Sequence, residues 1–246
     1  VLGKPEYFSE NYYQNGIDEL FYQDVVASLY GKNALYETIS KTAKEIFIPL
    51  TVGGGIRSIK DIYKILKAGA DKVSINSKTF NSPNIINDAV KIFGKSTIVG
   101  SVEVLKKNEK YYCYYNNGRT PANYLAYDWI LKLQKLGVGE IILTFIDFDG
   151  TGRGFDIDFI QNIKNKLSIP LVISGGAGNS KQVSQLFKKT KVSGVALASL
   201  LHYNLVQGKK ITKSDYAIEG NIEFMTTRNF NFKKFEVKSV KNILNY

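Results

Sequence analysis

The sequence predicts an α/β fold, a (β/α)8 TIM barrel of two half-barrel repeats whose first strand is missing from this chain. Short β-branched apolar runs alternate with longer amphipathic segments, as in strand–helix units around a parallel sheet. Seven such strands are preceded by a helix at residues 7–14, whereas a closed barrel of this kind has eight strands. Glycine-rich strand ends also recur along the chain, which indicates an internal repeat.

The elements follow one another regularly. After the helix at 7–14, the predicted strands are 19–26, 49–53, 72–76, 97–104, 140–147, 170–174 and 194–199. The predicted helices between them are 33–46, 59–67, 83–93, 124–136, 156–166 and 181–188. Residues 106–119 interrupt the alternation, and their alternating aromatic residues and Asn-Gly pair predict a hairpin. We treat residues 1–246 as one barrel domain, with residues 203–246 a basic C-terminal extension of uncertain structure.

The composition excludes several classes of protein. A chain of 246 residues with 44% hydrophobic residues builds an ordinary globular core. It has no apolar run long enough for a transmembrane helix and opens with no secretion signal, so a cytoplasmic location is predicted. Cys113 and His202 are the single cysteine and histidine. With one residue of each type, disulfides within the chain and a zinc cluster are excluded. A pairing of the two as nucleophile and base would be a coincidence. No cofactor and no metal are therefore predicted.

The net charge of +11 has three interpretations. Nucleic-acid binding is one, but the Lys and Arg residues are scattered rather than clustered, so no nucleic acid is predicted. Attraction to an anionic substrate is the second. The third is a composition biased toward Lys, Asn, Ile and Tyr, and the charge alone does not decide among them.

The internal repeat predicts two anion sites. A shift of 121 residues places one glycine pair on another, and a shift of one residue more aligns the small polar ends of the following strands. Glycines allow backbone N–H groups to approach an anion, and barrels bind phosphate at the carboxyl ends of their strands. The pattern therefore favours a ligand with a phosphate at each end, although glycines can also simply permit tight turns. The residues concerned are Gly54, Gly55, Asn76 and Ser77 in one half, and Gly175, Gly176, Ala198 and Ser199 in the other.

Four motifs in order carry a family resemblance: TVGGGI, ADKVSIN, GEIILTFIDFDGT and ISGGAG. With them, residues 3–202 resemble the cyclase subunits of imidazole glycerol phosphate synthase (the HisF family), which belong to histidine biosynthesis. The resemblance implies a bisphosphorylated aminoimidazole-carboxamide ribonucleotide as substrate, with one phosphate held by each half. It also implies a heterodimer with a glutaminase subunit whose ammonia travels through the barrel, attacks the substrate and yields imidazole glycerol phosphate and an aminoimidazole carboxamide ribotide.

The residues agree with this division of labour. Glutamine hydrolysis needs an activated thiolate, and this chain offers no credible one, so ammonia must come from a partner. By motif match, the charged ring at the ammonia entrance would consist of Glu19, Lys72 and Glu140, at the N-terminal ends of their strands. The alternative is an ion-pair network that closes the barrel floor. A fourth member, an arginine of the first strand, would lie in the missing segment.

The chain departs from the family at the acid–base residues. The family uses two aspartates: one ends the first strand, and the position of the other is Glu103 here. The longer side chain can still transfer protons, but a misplacement of about 1 Å can reduce the rate on the order of 100-fold. Alternatively, Glu103 is a salt-bridged residue of the barrel mouth.

Other residues of the mouth are expected to bind substrate: Asp24, Thr144, Asp149 and Thr151. For Asp149, in an Asp-Gly pair, capping of a turn is the alternative. We expect His202 to pack or to orient a neighbour rather than to act as a base.

Four functions are weighed. The first is the cyclase with its glutaminase partner, which the two phosphate motifs favour. The second is a catalytically altered paralogue that docks an amidotransferase and conducts ammonia in surface-sugar amidination, which Glu103 favours. The third is the sister isomerase barrel, against which the charged ring and ADKVSIN argue. Nucleic-acid binding, the fourth, has only the charge in its favour.

Overall fold

The computed structural model describes residues 5–25, 32–206 and 235–244. Seven of the described strands are parallel and alternate with helices. The described strands are β1 (Leu20–Gln23), β2 (Leu50–Gly53), β3 (Lys72–Ile75), β4 (Ile98–Lys107), β5 (Lys110–Tyr115), β6 (Thr120–Leu125), β7 (Glu140–Phe145), β8 (Leu171–Ser174) and β9 (Gly194–Ala196). The described α-helices are α1 (Pro5–Gln14), α2 (Lys32–Glu45), α3 (Ile59–Lys67), α4 (Ser77–Asn81), α5 (Asn84–Phe93), α6 (Ala126–Leu136), α7 (Ile157–Lys164), α8 (Ser180–Thr190), α9 (Ser199–Val206) and α10 (Val237–Leu244).

The sheet confirms the predicted fold class. Its hydrogen-bonded order is β1-β2-β3-β4-β7-β8-β9, and every neighbouring pair in that series is parallel. Strands that follow one another in the chain and lie side by side, with helices between them, form a nearly closed α/β barrel. Strands β5 and β6 leave this path as an antiparallel hairpin attached to β4.

Several boundaries differ from the predicted ones. The strand predicted at 140–147 ends at Phe145, because the N–H groups of Phe148 and Asp149 turn back onto the Phe145 carbonyl at 3.2 and 3.0 Å. The strand predicted at 194–199 ends at Ala196, and Ser199 already begins α9. The predicted hairpin is present but longer, with its second arm ending at Leu125.

The predicted C-terminal extension is partly described. Residues 207–234 and 245–246 of this extension lie outside the described residues. The same holds for residues 1–4 and for residue 26, the last residue of the first predicted strand. Residues 237–244 form helix α10, whose Val240 packs with Val183 of α8 and Leu200 of α9. Lys241 of α10 also binds Asp18, just before β1, at 2.6 Å. This segment of the extension therefore packs on the barrel.

The core lies between the sheet and the helices. The outward-facing strand residues Val73, Ile98 and Ile141 are fully covered by buried helix residues such as Ile62 and Trp129. Fully burying a side chain of this kind contributes about 1.5–3 kcal/mol relative to leaving it exposed. Because the hydrophobic core lies outside the strands, the inner face of the barrel is free to carry polar groups.

The inner face is identified by Lys72, which reaches across the barrel to Glu140, two strands away in the sheet. Side chains alternate along a strand, so Ser74 on β3 and Ile142 and Thr144 on β7 also face inward. Register extends the assignment to Ser101, paired with Ile142, on β4. The interior thus carries hydroxyl side chains above a charged floor. No helix among the described residues is long and apolar enough to cross a membrane.

Candidate active site

Glu103 lies at the upper end of the barrel interior. It is the register partner of Thr144 on β7, which is in turn paired with Ser174 on β8. The Oε2 atom of Glu103 accepts a hydrogen bond of 2.7 Å from the backbone N–H of Gly118. The side chain of Asn76 binds the same carboxyl group. The structure therefore brings three of the predicted site residues together: Glu103, Thr144 and Asn76.

The environment of Glu103 suits proton transfer. Burial raises the pKa of its carboxyl group, while the hydrogen bonds from Gly118 and Asn76 lower it by less, so the pKa stays above the ordinary value. A carboxyl group shifted in this direction exchanges its proton closer to neutral pH, as a general acid or base needs. Within the described ranges no salt bridge of Glu103 is seen, and its acid–base role stays a prediction.

The two glycine pairs occupy equivalent positions. At Gly54, with φ of +104°, an added Cβ would lie 2.1 Å from the carbonyl oxygen of Asp24. At Gly175, with φ of +87°, it would lie 2.6 Å from the carbonyl oxygen of Phe145. The shift of 121 residues that carries Gly54 to Gly175 also carries Asp24 to Phe145, so the repeat is geometric as well as sequential. Glycine is required at both positions by this close approach, and anion binding by the two loops stays a prediction.

The serines of the predicted anion sites also correspond. Ser77 begins α4 after β3, and Ser199 begins α9 after β9. The Ser77 hydroxyl accepts a hydrogen bond of 3.3 Å from the backbone of Asn116. An added Cβ on Gly150 would lie 3.7 Å from the Ser199 hydroxyl, so the loop after β7 lies beside the second site.

The loop after β7 contains the remaining predicted residues. Asp149 and Thr151 are exposed, and the Thr151 hydroxyl donates to the Phe148 carbonyl at 2.7 Å within the turn. Arg153, which the sequence did not single out, lies over the Phe148 ring at 5.0 Å and donates to the Asp147 carbonyl. The loop is thus organised by its own contacts, and substrate contacts of Asp149, Thr151 and the similarly placed Asp24 stay predictions.

Two buried acceptors in this region lack a donor within the described part of the chain: Oδ1 of Asn76 and Oδ1 of Asp147. A buried acceptor left unsatisfied costs about 1–3 kcal/mol, so such atoms are retained where a ligand or ordered water supplies the donor. Both follow the carboxyl ends of strands, Asn76 after β3 and Asp147 after β7, where barrels bind their ligands.

The charged ring is present at the opposite end of the barrel. Lys72 Nζ lies 2.7 Å from Glu19 Oε2 and 2.9 Å from Glu140 Oε2, and Thr51 donates to the other oxygen of Glu19 at 2.5 Å. Burial lowers the pKa of Lys72, but its hydrogen bonds to the two glutamates outweigh this effect and leave the pKa raised. The ion-pair network is therefore real, and it is compatible with both the structural and the entrance interpretations.

His202 and Cys113 are both buried and are not suited to act as a base or a nucleophile. His202 Nδ1 is hydrogen-bonded to the Tyr12 hydroxyl, and the ring packs on Phe8 with centroids 5.6 Å apart. Burial lowers the pKa of His202, so the ring is held neutral as a packing group. Burial raises the pKa of the Cys113 thiol to about 12, which leaves it unreactive. Among the described residues, no group of three or more His, Cys, Asp or Glu side chains is arranged to hold a metal ion.

Sequence reasoning missed the contribution of the loop between β5 and β6. Its backbone reaches both Glu103 and Ser77. The Asn-Asn-Gly triplet at 116–118 signalled a tight turn, but nothing in it indicated which residues the turn would contact.

Comparison with known proteins gives consistent matches. A family model described as "Histidine biosynthesis protein" matches residues 1–207. The imidazole glycerol phosphate synthase subunit HisF of Bacillus cereus (strain G9842) is 40% identical over 221 residues, covering 89% of this chain and 88% of that protein. The HisF subunit of Bacillus cereus (strain Q1) is 39% identical over 203 residues, or 82% and 81% of the two chains. That of Clostridium botulinum (strain Kyoto / Type A2) is 37% identical over 212 residues, or 85% and 84%.

Proposed function

The chain belongs to the histidine biosynthesis protein family as a HisF-type cyclase subunit of imidazole glycerol phosphate synthase, and from this premise we propose how it acts. Membership in this family assigns the chain to the cyclase subunits and to histidine biosynthesis. The substrate, the source of nitrogen and the partner are what we propose here. The barrel binds a bisphosphorylated aminoimidazole-carboxamide ribonucleotide across its mouth and joins it to ammonia delivered through its floor.

One observation most directly supports a substrate with a phosphate at each end. The close approaches at Gly54 and Gly175 repeat at the same spacing, on opposite halves of one mouth, with Glu103 on the strand between them. Two equivalent loops rich in backbone N–H groups suit two equivalent anions. A ligand with a phosphate at each end would use both loops and lie with its middle over Glu103. That is where a reaction remote from both phosphates would occur.

Glu103 then performs the proton transfers. A neutral ammonia that forms a bond to carbon becomes cationic and must lose a proton, and a nearby carboxylate can accept it. The same group, once protonated, can return the proton to a leaving group during lysis. The raised pKa of Glu103 helps the second step, because the protonated form persists to higher pH than it would in water.

The floor and interior suit delivery of a small neutral molecule. The ring of Lys72, Glu19 and Glu140 closes the lower end, and the inward-facing Ser74 and Ser101 lie above it. The Ser74 hydroxyl is buried without a hydrogen-bond partner in the described chain, so it can bind a passing donor or acceptor. We propose that ammonia enters past the ring and passes these hydroxyls toward Glu103.

The partner is expected to dock on the same floor. Phe47, in the turn before β2, is 83% exposed beside a cleft of about 320 Å³ that Pro49 and Asp71 also line. An aromatic side chain at the edge of a cleft is typical of an interface anchor. A glutaminase that covered Phe47 and the charged ring would release ammonia at the entrance without loss to solvent.

The decisive assay supplies ammonia directly. The purified protein is incubated with the bisphosphorylated ribonucleotide and an ammonium salt at high pH, and formation of imidazole glycerol phosphate is followed. We expect turnover without glutaminase, and its loss in Glu103→Gln. Lys41→Met, on the exposed face of α2, is the matched surface control and should retain activity.

One other function keeps a specific observation in its favour. Glutamate at position 103, where the family has aspartate, is the change expected of a paralogue that docks an amidotransferase and conducts ammonia for surface-sugar amidination. Absence of turnover with ammonium salts, together with activation of a glutaminase by this chain, would establish that function instead of the cyclase.

A further inference from the structure

The loop between β5 and β6, residues 116–119, forms what we call the hairpin tip. Asn116, Asn117 and Gly118 are three consecutive residues with left-handed backbones, at φ of +54°, +56° and +73°. Asn and Gly are the residues that adopt this conformation at least cost. Successive backbone N–H groups in such turns point to one concave side and favour a negatively charged partner.

The donors of the hairpin tip reach three parts of the barrel mouth. The Asn116 N–H lies 3.3 Å from the Ser77 hydroxyl, and the Asn117 side-chain amide lies 3.0 Å from the carbonyl of Val25, just after β1. The third donor, the Gly118 N–H, makes the shortest bond, 2.7 Å, and its acceptor is the carboxylate of Glu103. The hairpin tip therefore spans the mouth from β1 to β4.

The first arm of the hairpin, β5, holds the tip in place. Tyr111 on β5 is buried, its hydroxyl donates to Asp156 at 2.9 Å, and its ring packs on Phe159 with centroids 4.2 Å apart. Cys113 on the same arm is fully buried. Because this arm and the tip both contact the barrel, the tip is held at a defined height above Glu103.

We propose that the hairpin tip is the positioning element for Glu103, with the Gly118 N–H setting where its carboxylate lies over the barrel interior. This inference rests on the proposed role of Glu103 in proton transfer. It explains why position 103 has a glutamate: the additional methylene lets the carboxylate reach the backbone amide of the hairpin tip. An aspartate on the same backbone would place its carboxylate farther from that amide. Gly118 and Asn117 are thus positioning residues, which act on the reaction through Glu103.

The test replaces Gly118 by alanine in the full chain and measures two quantities. The first is ammonium-dependent kcat and the KM for the bisphosphorylated ribonucleotide. The second is the pKa of Glu103, from the pH dependence of its side-chain carboxyl ¹³C resonance. In Gly118→Ala, the left-handed backbone and the approach of the added Cβ to the Ile146 side chain, at 3.1 Å, displace the N–H. We expect kcat to fall on the order of 100-fold with little change in KM, as for a displacement of about 1 Å. The pKa of Glu103 should rise, because the bond that favours its anion is weakened.

A matched control separates positioning from general strain. Gly137, which follows α6, has a left-handed backbone, at φ of +102° and ψ of +15°, and an added Cβ there makes only ordinary contact with Val90, at 3.6 Å. Gly137→Ala therefore imposes a left-handed alanine at a site remote from Glu103, and both readouts should be unchanged. If Gly118→Ala fails to fold, Asn117→Gly takes its place. That variant keeps the left-handed turn, removes the tie to Val25, and should move both readouts in the same direction by less.

The coupling between Gly118 and Glu103 is the sharpest readout. Glu103→Asp should also lose kcat on the order of 100-fold, and the double variant should lose little more than either single one, because both remove one interaction. Independent, multiplicative losses would overturn the proposal, and so would a Glu103 pKa that is the same in Gly118→Ala and the original chain. If the original chain shows no turnover, the proposed function fails and the pKa comparison alone decides the positioning.

Discussion

Replacement of Lys72 by methionine tests the charged ring on the barrel floor. Methionine keeps most of the apolar stem of the lysine but removes the ammonium group that bridges Glu19 and Glu140. The two carboxylates would then face each other in a half-buried site without a cation between them. We expect the variant to fold, with a lower free energy of unfolding.

The structure sets the size of the effect. The two bonds measure 2.7 and 2.9 Å, and a hydrogen bond between charged groups contributes about 1.5–3 kcal/mol. Breaking one side of a fully buried ion pair costs about 3–5 kcal/mol. The side chains of Lys72 and Glu19 are 21% and 32% exposed, so solvent screens part of this. The expected loss is therefore about 2–3 kcal/mol, below the fully buried case.

Urea unfolding at neutral pH measures this loss of stability, and two further variants serve as controls. Lys41→Met removes an ion pair of the same length, 2.7 Å, between side chains that are 57% and 67% exposed, and should change the stability far less. Adding Glu140→Gln to Lys72→Met should restore much of the lost stability by removing the repulsion. A Lys72→Met variant no less stable than Lys41→Met would refute the reasoning, as would a failure of Glu140→Gln to restore stability.

Three further outcomes follow from burial and backbone geometry. Glu103→Gln should abolish turnover yet stabilise the fold near pH 8. Burial raises the folded pKa of Glu103, so its carboxyl group favours folding only at low pH. The stability gained by Glu103→Gln should therefore vanish below the ordinary pKa of 4.5, as measured by urea unfolding at a series of pH values. The folded pKa of His202 is lowered, so stability should fall as pH drops below 6.5, and His202→Gln should flatten that slope in thermal unfolding. Gly54→Ala and Gly175→Ala should each lose more stability than the about 1–2 kcal/mol of a left-handed alanine, measured by urea unfolding. Gly137→Ala, where the added Cβ makes only ordinary contact with Val90, should lose no more than that.

Much of the fold could be predicted because strand and helix periods alternate clearly. The exceptions have local reasons. Helix α4, at Ser77–Asn81, is too short to show a helical period. Strand β6 includes Pro121, which weakens any strand pattern, and none of its residues is buried. The sequence predicts too long a strand at β7 because Ile146 continues the apolar run, whereas the chain already turns at Phe145.

The site was predictable where side chains carry the chemistry. The members of the charged ring followed from the family resemblance, but their mutual contact did not, since Lys72 and Glu140 meet across the barrel. The contact of Glu103 with the hairpin tip could not be predicted, because the Gly118 backbone amide that makes it has no side-chain signature. The only indication in the sequence is the presence of Asn and Gly, which tolerate a left-handed turn, at 116–118.

Binding of one ligand by both glycine-rich loops is the central requirement of the proposed function. Titration of ¹⁵N-labelled protein with the bisphosphorylated ribonucleotide tests it, by following the backbone amides of Gly55 and Ser77 in one half and Gly176 and Ser199 in the other. We expect both sets to shift together and to saturate at one ligand per chain. Shifts confined to one half, or two sets that saturate at different ligand concentrations, would contradict it.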